Sequence, residues 1–171
     1  CALPISETDV LTRLLQGDGG GALTDHELLH NCIFLLNAGH ETTTNLIGNG
    51  LKALLDWPAE KARLIDEPKL IASAVEEFLR FESSNQLGNR IATTATRIGG
   101  VEIAARTQVT LGIGAANRDP EQFPDPDRLD IGRTPNRHLA FGSGIHQCVG
   151  MGLARLEGRV AIGRFIARFP D

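Results

Sequence analysis

Phe141-Gly142-Ser143-Gly144-Ile145-His146-Gln147-Cys148-Val149-Gly150 decides the fold: one cysteine closes a loop punctuated by glycines, and a helix-like run from Gly152 through Arg155, Leu156 and Ile162 to Phe169 follows at once. A thiol just ahead of a helix start sits where backbone N–H groups and the helix dipole favour its thiolate form. Such a thiolate serves as a nucleophile or as a metal ligand. The glycines let the backbone turn with positive φ and approach something large and flat that side chains would hold off. The competing reading makes Cys148 an inert buried residue, the ordinary state of a lone intracellular cysteine.

Outward from this loop, the next informative region is the long apolar run in the first third of the chain. Thr24 and Glu27 form a capping box, each side chain able to satisfy an orphan N–H of the first turn. From there Leu28, Leu29, Cys32, Ile33, Leu35 and Leu36 continue to Leu46, Ile47, Leu51, Leu54 and Leu55, which predicts one helix ending before Pro58. At about 30 residues it is far longer than the usual 11 or 12 and must cross the body of a domain. Its middle, Ala38-Gly39-His40-Glu41-Thr42-Thr43-Thr44, is made of poor helix formers. A glycine and three threonines cost together about 2 kcal/mol against alanine. A glycine there lets a ligand lie against the backbone, and threonine hydroxyls bonded one turn back would open a local groove. The plain alternative is a weak patch in a buried helix.

Ahead of this helix, Glu7 to Gln16 places Val10, Leu11, Leu14 and Leu15 on one helical face, and Gly17 to Gly21 ends it. Behind it come two shorter helices, Ala59 to Ile65 and Pro68 to Arg80, with Pro68 suited to a helix N-terminus. Within the second, Glu77 and Arg80 share a face; exposed, such a pair contributes only about 0.2 to 0.5 kcal/mol. From Gln86 to Leu111 the texture turns β-branched, in the runs Ile91 to Thr94, Thr96 to Ile98, Val101 to Ile103 and Gln108 to Thr110. Gly99-Gly100 is a hairpin signal, and a small antiparallel sheet is expected. Gly112 to Asn117 reads as one or two helical turns. Arg118 to Arg137 reads as a long loop rich in Pro, Asp and Arg, a kind that is usually functional in a compact domain. The fold class is therefore mainly α with a small antiparallel β portion (α+β), built on one long helix and a cysteine loop followed by a helix.

Phe141, Gly144, Cys148 and Gly150, with a basic-type side chain at His146, resemble the haem-binding loop of the cytochrome P-450 family, Phe-x-x-Gly-x-x-x-Cys-x-Gly. The run from His138 to Gly142 matches the form common in bacterial members. Ala38-Gly39-His40-Glu41-Thr42-Thr43 resembles that family's oxygen-binding segment, Glu77-Phe78-Leu79-Arg80 its Glu-x-x-Arg motif, and the loop after Arg118 its meander. These motifs stand in family order and cover nearly the whole chain. The resemblance implies haem b (iron protoporphyrin IX) as cofactor, with Cys148 as iron ligand. It assigns Arg90, His146 and His138 to the propionates, Phe141, Gly144 and Gly150 to packing around the group, and Ala38 and Gly39 to its distal face. Glu41 and Thr42 would deliver protons to dioxygen, and Glu77, Arg80 and Arg128 would form a structural ion-pair network. The helix around Phe34 and the stretch from Ser83 to Gly88 would line a pocket for a small, largely apolar substrate.

The implied activity is a monooxygenase, inserting one atom of O2 into that substrate by hydroxylation or epoxidation. The chain carries no Gly-x-Gly-x-x-Gly fingerprint and no Fe–S cysteine cluster. Electrons would therefore come from a ferredoxin with its NAD(P)H-dependent reductase. Two other classes compete: a haem-thiolate sensor, which would lack the Glu41 and Thr42 pair, and a cysteine nucleophile with a histidine base, which leaves Arg90 and the Glu77–Arg80 pair unexplained.

Bulk properties agree with a single domain: 171 residues, 42% hydrophobic, net charge −4. No Lys/Arg run with interleaved aromatics points to nucleic acid. The apolar stretches, broken by His30, Asn31, Asn37 and Glu41, fall short of the roughly 18 clean residues of a membrane span. A signal-peptide pattern is absent from the first residues, and cysteines at 1, 32 and 148 lack the spacing of a disulfide framework or zinc cluster. A reducing cytoplasm is the expected compartment. The resemblance also implies that residues 1–171 are the C-terminal part of one larger domain, without its N-terminal half and last strands. Such a segment alone is expected to fold poorly and not to turn over; a thiolate-type carbon monoxide band together with product formation would overturn that expectation.

Overall fold

The structure, a computed structural model, describes residues 9–17 and 23–170. The chain forms two compact units, Cys1–Glu41 and Thr42–Asp171. In the first, Asp9 caps helix α1 (Val10–Gln16): its carboxylate accepts the Thr12 N–H at 2.7 Å. The cap sets the helix start at Val10. The expected first residues, Glu7 and Thr8, and the glycines after Gly17 lie outside the described residues. Helix α2 (Asp25–Asp56, 32 residues) opens on the expected capping box, with Thr24 N–H to Glu27 Oε2 at 2.9 Å and Glu27 N–H to Thr24 Oγ1 at 3.3 Å. At 1.5 Å per residue it is about 48 Å long. Its backbone runs as unbroken α-helix through Gly39 to Thr44. Propagation within a long helix adds a hydrogen bond for each residue fixed, which outweighs locally poor propensity.

In the second unit, α2 is followed by α3 (Pro58–Asp66), with Pro58 in its first turn, then by a 3₁₀ turn over Pro68–Leu70 and by α4 (Ile71–Phe81). The β region is two separate ladders and not one sheet. Strand β1 (Leu87–Ile91) pairs antiparallel with β4 (Gln108–Gly112), and β2 (Thr96–Ile98) with β3 (Val101–Ile103) across the Gly99-Gly100 turn. The strand expected from Ile91 to Thr94 ends at Ile91, because the chain bends at Thr93 and Thr94. Helix α5 (Ile113–Ala116) is a single turn, and α6 (Met151–Arg168) follows the cysteine loop. Between α5 and that loop, Arg118 to Arg137 carry neither helix nor strand, as expected. No helix among the described residues is long and apolar enough to cross a membrane.

Fourfold spacing explains why three helices meet. Leu46, Gly50 and Leu54 of α2, Ala74, Val75 and Phe78 of α4, and Gly158, Ile162 and Ile166 of α6 are all buried. Leu129 and Ile131, both fully buried, add the long loop to the same core. The crossing is tight at Gly50, where a Cβ would stand 2.8 Å from Ile162 Cδ1 and 2.9 Å from Phe78 Cδ2. Gly50→Ala would gain about 1 kcal/mol of helix propensity but overpack the crossing, which costs about 1 to 3 kcal/mol. The net result expected is a lowered thermal midpoint, read by circular dichroism.

Candidate functional site

The cysteine loop is a tight hydrogen-bonded turn. Gly142 and Gly144 have φ of 68° and 67°. At Gly142 a side chain would be strained and would stand 3.3 Å from the His146 carbonyl oxygen. Gly142 N–H donates to Leu139 O and Cys148 N–H to Phe141 O, both at 2.8 Å, while a 3₁₀ turn over Gly144–His146 closes with Gln147 N–H on Gly144 O. The loop thus presents an exposed, free Cys148 thiol three residues ahead of α6. Beside it, Ile145 is 97% exposed and Val149 94%, and Leu153 and Leu156 of α6 are exposed too. A thiol flanked by bare apolar side chains suits an apolar, planar occupant more than water.

The chain leading into the loop is held by His138 and by Asn117, Glu76 and Arg155, which no sequence motif marked. Asn117, fully buried, accepts the Leu139 N–H at 2.7 Å through Oδ1 and donates to Ser83 Oγ at 2.7 Å. Glu76 takes both Nε and Nη2 of Arg155, at 2.8 and 2.9 Å, and meets His138 Nε2 at 3.1 Å. His138 Nδ1 in turn accepts the Ala140 N–H at 3.2 Å, so Nε2 carries a proton towards Glu76. Both ring nitrogens are therefore engaged, which argues against the expected reach of His138 to a propionate. The Arg155 guanidinium carbon lies 4.7 Å from the Phe141 ring centroid.

Burial alone would raise the Glu76 pKa, but hydrogen bonds from His138 and Arg155 outweigh it and bring it down to about 2. The unfolded chain binds its proton near 4.5, so between those values the unfolded state holds the extra proton and stability rises with pH. The contribution is present above pH 4.5 and is lost as pH falls towards 2. In Glu76→Gln, acid unfolding should lose steepness in that window, read by fluorescence across an acid titration.

Glu77 and Arg80, both fully buried, form the expected ion pair: Arg80 Nε to Glu77 Oε2 at 2.8 Å and Nη2 to Oε1 at 2.9 Å. Arg80 also donates to the carbonyl oxygens of Asn117, Pro126 and Arg128. The second arginine on Glu77 is Arg133, Nε to Oε1 at 3.2 Å, and not Arg128, which contributes its carbonyl oxygen to Arg80 and stands exposed. The loop carries both arginines five residues apart with no periodicity, so spacing alone does not say which turns inward. Asp130 N–H and Asn136 Nδ2 complete the carboxylate's partners at 3.0 and 2.9 Å.

The other expected residues are placed as follows. Arg90 is exposed on β1, its Nη1 on the Asn89 carbonyl oxygen, and His146 is exposed on the loop. Ala38, Gly39 and Glu41 are exposed on α2 in the first unit, and Thr42 is exposed at the start of the second. Ser83, expected at a substrate pocket, is buried and bonds to Leu79 O instead. His26-Glu27-Leu28-Leu29-His30 matches the metalloprotease pattern H-E-x-x-H. Its glutamate is committed to the capping box, and no three His, Cys, Asp or Glu side chains among the described residues cluster as metal ligands.

The sequence matches the cytochrome P450 family model over residues 4–170, and the chain belongs to that family. It is 47% identical over 165 residues to the biotin biosynthesis cytochrome P450 of Bacillus subtilis (strain 168), covering 96% of this chain and 42% of that protein. It is 51% identical over 158 residues to the vitamin D(3) 25-hydroxylase of Pseudonocardia autotrophica, covering 92% of this chain and 39% of that one. The crystal structure of P450BioI with hexadec-9Z-enoic acid ligated acyl carrier protein superposes with a TM-score of 0.89 at 48% identity, over 94% of this chain and 41% of that one. The chain thus spans about two fifths of the length of these relatives. Haem b is the cofactor of the family. The residues present fit it: a free thiol at a helix start, positive-φ glycines, bare apolar flanks, and exposed Arg90 and His146 for its carboxylates.

Proposed function

We propose that the chain is the haem-ligating part of a cytochrome P450 monooxygenase that inserts one atom of O2 into a small, largely apolar organic substrate. The observation that carries this reading is the exposed Cys148 thiol, held by its amide on Phe141 O and flanked by Ile145 and Val149. Bound haem supplies dioxygen activation, which an anionic sulfur ligand favours by donating electron density to the iron.

The chain's own residues then divide the work. Cys148 holds the metal, with Phe141, Gly144 and Gly150 packing beside it. Arg90 and His146 neutralise the propionates. By the likeness of Ala38 to Thr43 to the family's oxygen-binding segment, Ala38 and Gly39 would leave room beside the haem, and Glu41 and Thr42 would pass protons. General acid catalysis of this kind contributes about 10²- to 10⁴-fold. Glu77, Arg80 and Arg133 hold the long loop behind the site. An apolar substrate accords with the fatty acyl and vitamin D(3) ligands named for two relatives. Electrons come from a ferredoxin and its NAD(P)H-dependent reductase, in the cytoplasm, and residues 1–171 belong to one larger domain.

The test supplies the haem-loaded full-length protein that contains residues 1–171 with ferredoxin, reductase, NADPH and ¹⁸O-labelled dioxygen, using palmitoleic acid and vitamin D3 as probes. A product carrying one labelled oxygen supports the reading. Oxidation of NADPH with water or peroxide as the sole product contradicts it.

A further inference from the structure

Glu76 stands one residue before the buried Glu77–Arg80 pair but takes no part in it. Its carboxylate points about a quarter-turn away around α4 and joins two elements that flank the cysteine loop. One is Arg155, in the second turn of α6, gripped through both Nε and Nη2. The other is His138, its side chain only 2% exposed, on the strand of chain that enters the loop. Both then touch Phe141. The Arg155 guanidinium lies over its ring at 4.7 Å, and the His138 ring is 5.9 Å from it, centroid to centroid. Phe141 is also the residue whose carbonyl oxygen receives the Cys148 N–H. Phe141 also packs against the buried core, as does Ala140, and the polar contacts that orient its ring come from the groups that Glu76 holds.

We propose that Glu76 is a positioning residue for the iron-ligating loop: one carboxylate, shared between Arg155 and His138, fixes Phe141 and through its carbonyl oxygen the Cys148 backbone. This rests on the reading of Cys148 as iron ligand, but the clamp itself is measurable without iron. A bidentate arginine–carboxylate contact is geometrically specific, so it sets an orientation as well as an energy. Gln is isosteric with Glu but leaves an amide NH2 facing two donors.

The test is amide hydrogen exchange on the full-length protein that contains residues 1–171, before haem is added, comparing wild type with Glu76→Gln, Arg155→Gln and the double variant. The Cys148 and Gly142 amides should exchange about tenfold faster in each single variant, while Phe78 and Leu79 of α4 keep their protection, as expected for local rather than global opening. The double variant should add nothing to Glu76→Gln, since that change already removes the Arg155 contact along with the His138 one. Exchange unchanged at Cys148, or accelerated equally through α4 and α6, would overturn the proposal, the latter showing that Glu76 merely supports the fold. A haem-loaded wild type without sulfur ligation, alongside the expected exchange pattern, would remove the iron reading and leave the clamp standing.

Discussion

Glu77→Ala is expected to remove about 3 to 5 kcal/mol of stability, the range for breaking a buried ion pair by deleting one partner. The carboxylate is fully buried and receives Arg80 twice, Arg133 once, the Asp130 amide and the Asn136 amide group. Removing it strands the Arg80 guanidinium, itself fully buried, with three carbonyl oxygens and no counter-charge. Total stabilities of domains run to about 5 to 15 kcal/mol, so most of the native population is at stake. The long loop should be released first, because Pro126, Arg128 and Asp130 are all tied to this pair. A urea titration checks it, and Arg128→Ala serves as the contrast. With its side chain outside the network and only its carbonyl oxygen inside, that variant should shift stability by no more than about 0.5 kcal/mol.

Cys148→Ser has the opposite profile, with a large effect on the cofactor and a small one on the fold. The thiol is exposed and free, and the hydrogen bond that shapes the loop runs from the Cys148 backbone, which serine retains. Thermal midpoint and circular dichroism should therefore match the wild type. Haem-loaded wild type, reduced and exposed to carbon monoxide, should show the long-wavelength band of thiolate ligation. In Cys148→Ser that band should be lost completely, because a serine hydroxyl does not ionise near neutral pH and gives the iron no comparable anionic donor.

Much of this arrangement was legible from local chemistry. The Thr24 and Glu27 box, the helix end before Pro58, the proline at Pro68, the Gly99-Gly100 turn and the cysteine ahead of α6 each depend on neighbours a few residues away, where spacing is informative. The positions that escaped reading depend on distant partners. Glu76 reaches His138 and Arg155 across 62 and 79 residues of sequence, and nothing in an acidic pair on a helix says that one member turns towards a loop so far off. Arg133 and Arg128 differ only in which way an irregular loop turns them. The long helix expected straight through its poor helix formers, Ala38 to Thr44, does form, and the 32 residues of α2 carry them. The single sheet expected from Gln86 to Leu111 split in two because the bend at Thr93 and Thr94 separates β1 from β2.

The central claim is that Cys148 binds iron through sulfur. X-ray absorption at the iron edge of the haem-loaded protein reads the metal's nearest neighbours directly. One sulfur scatterer in the first coordination shell of the wild type, absent in Cys148→Ser, is the predicted result; a shell of nitrogen and oxygen alone in the wild type would contradict it.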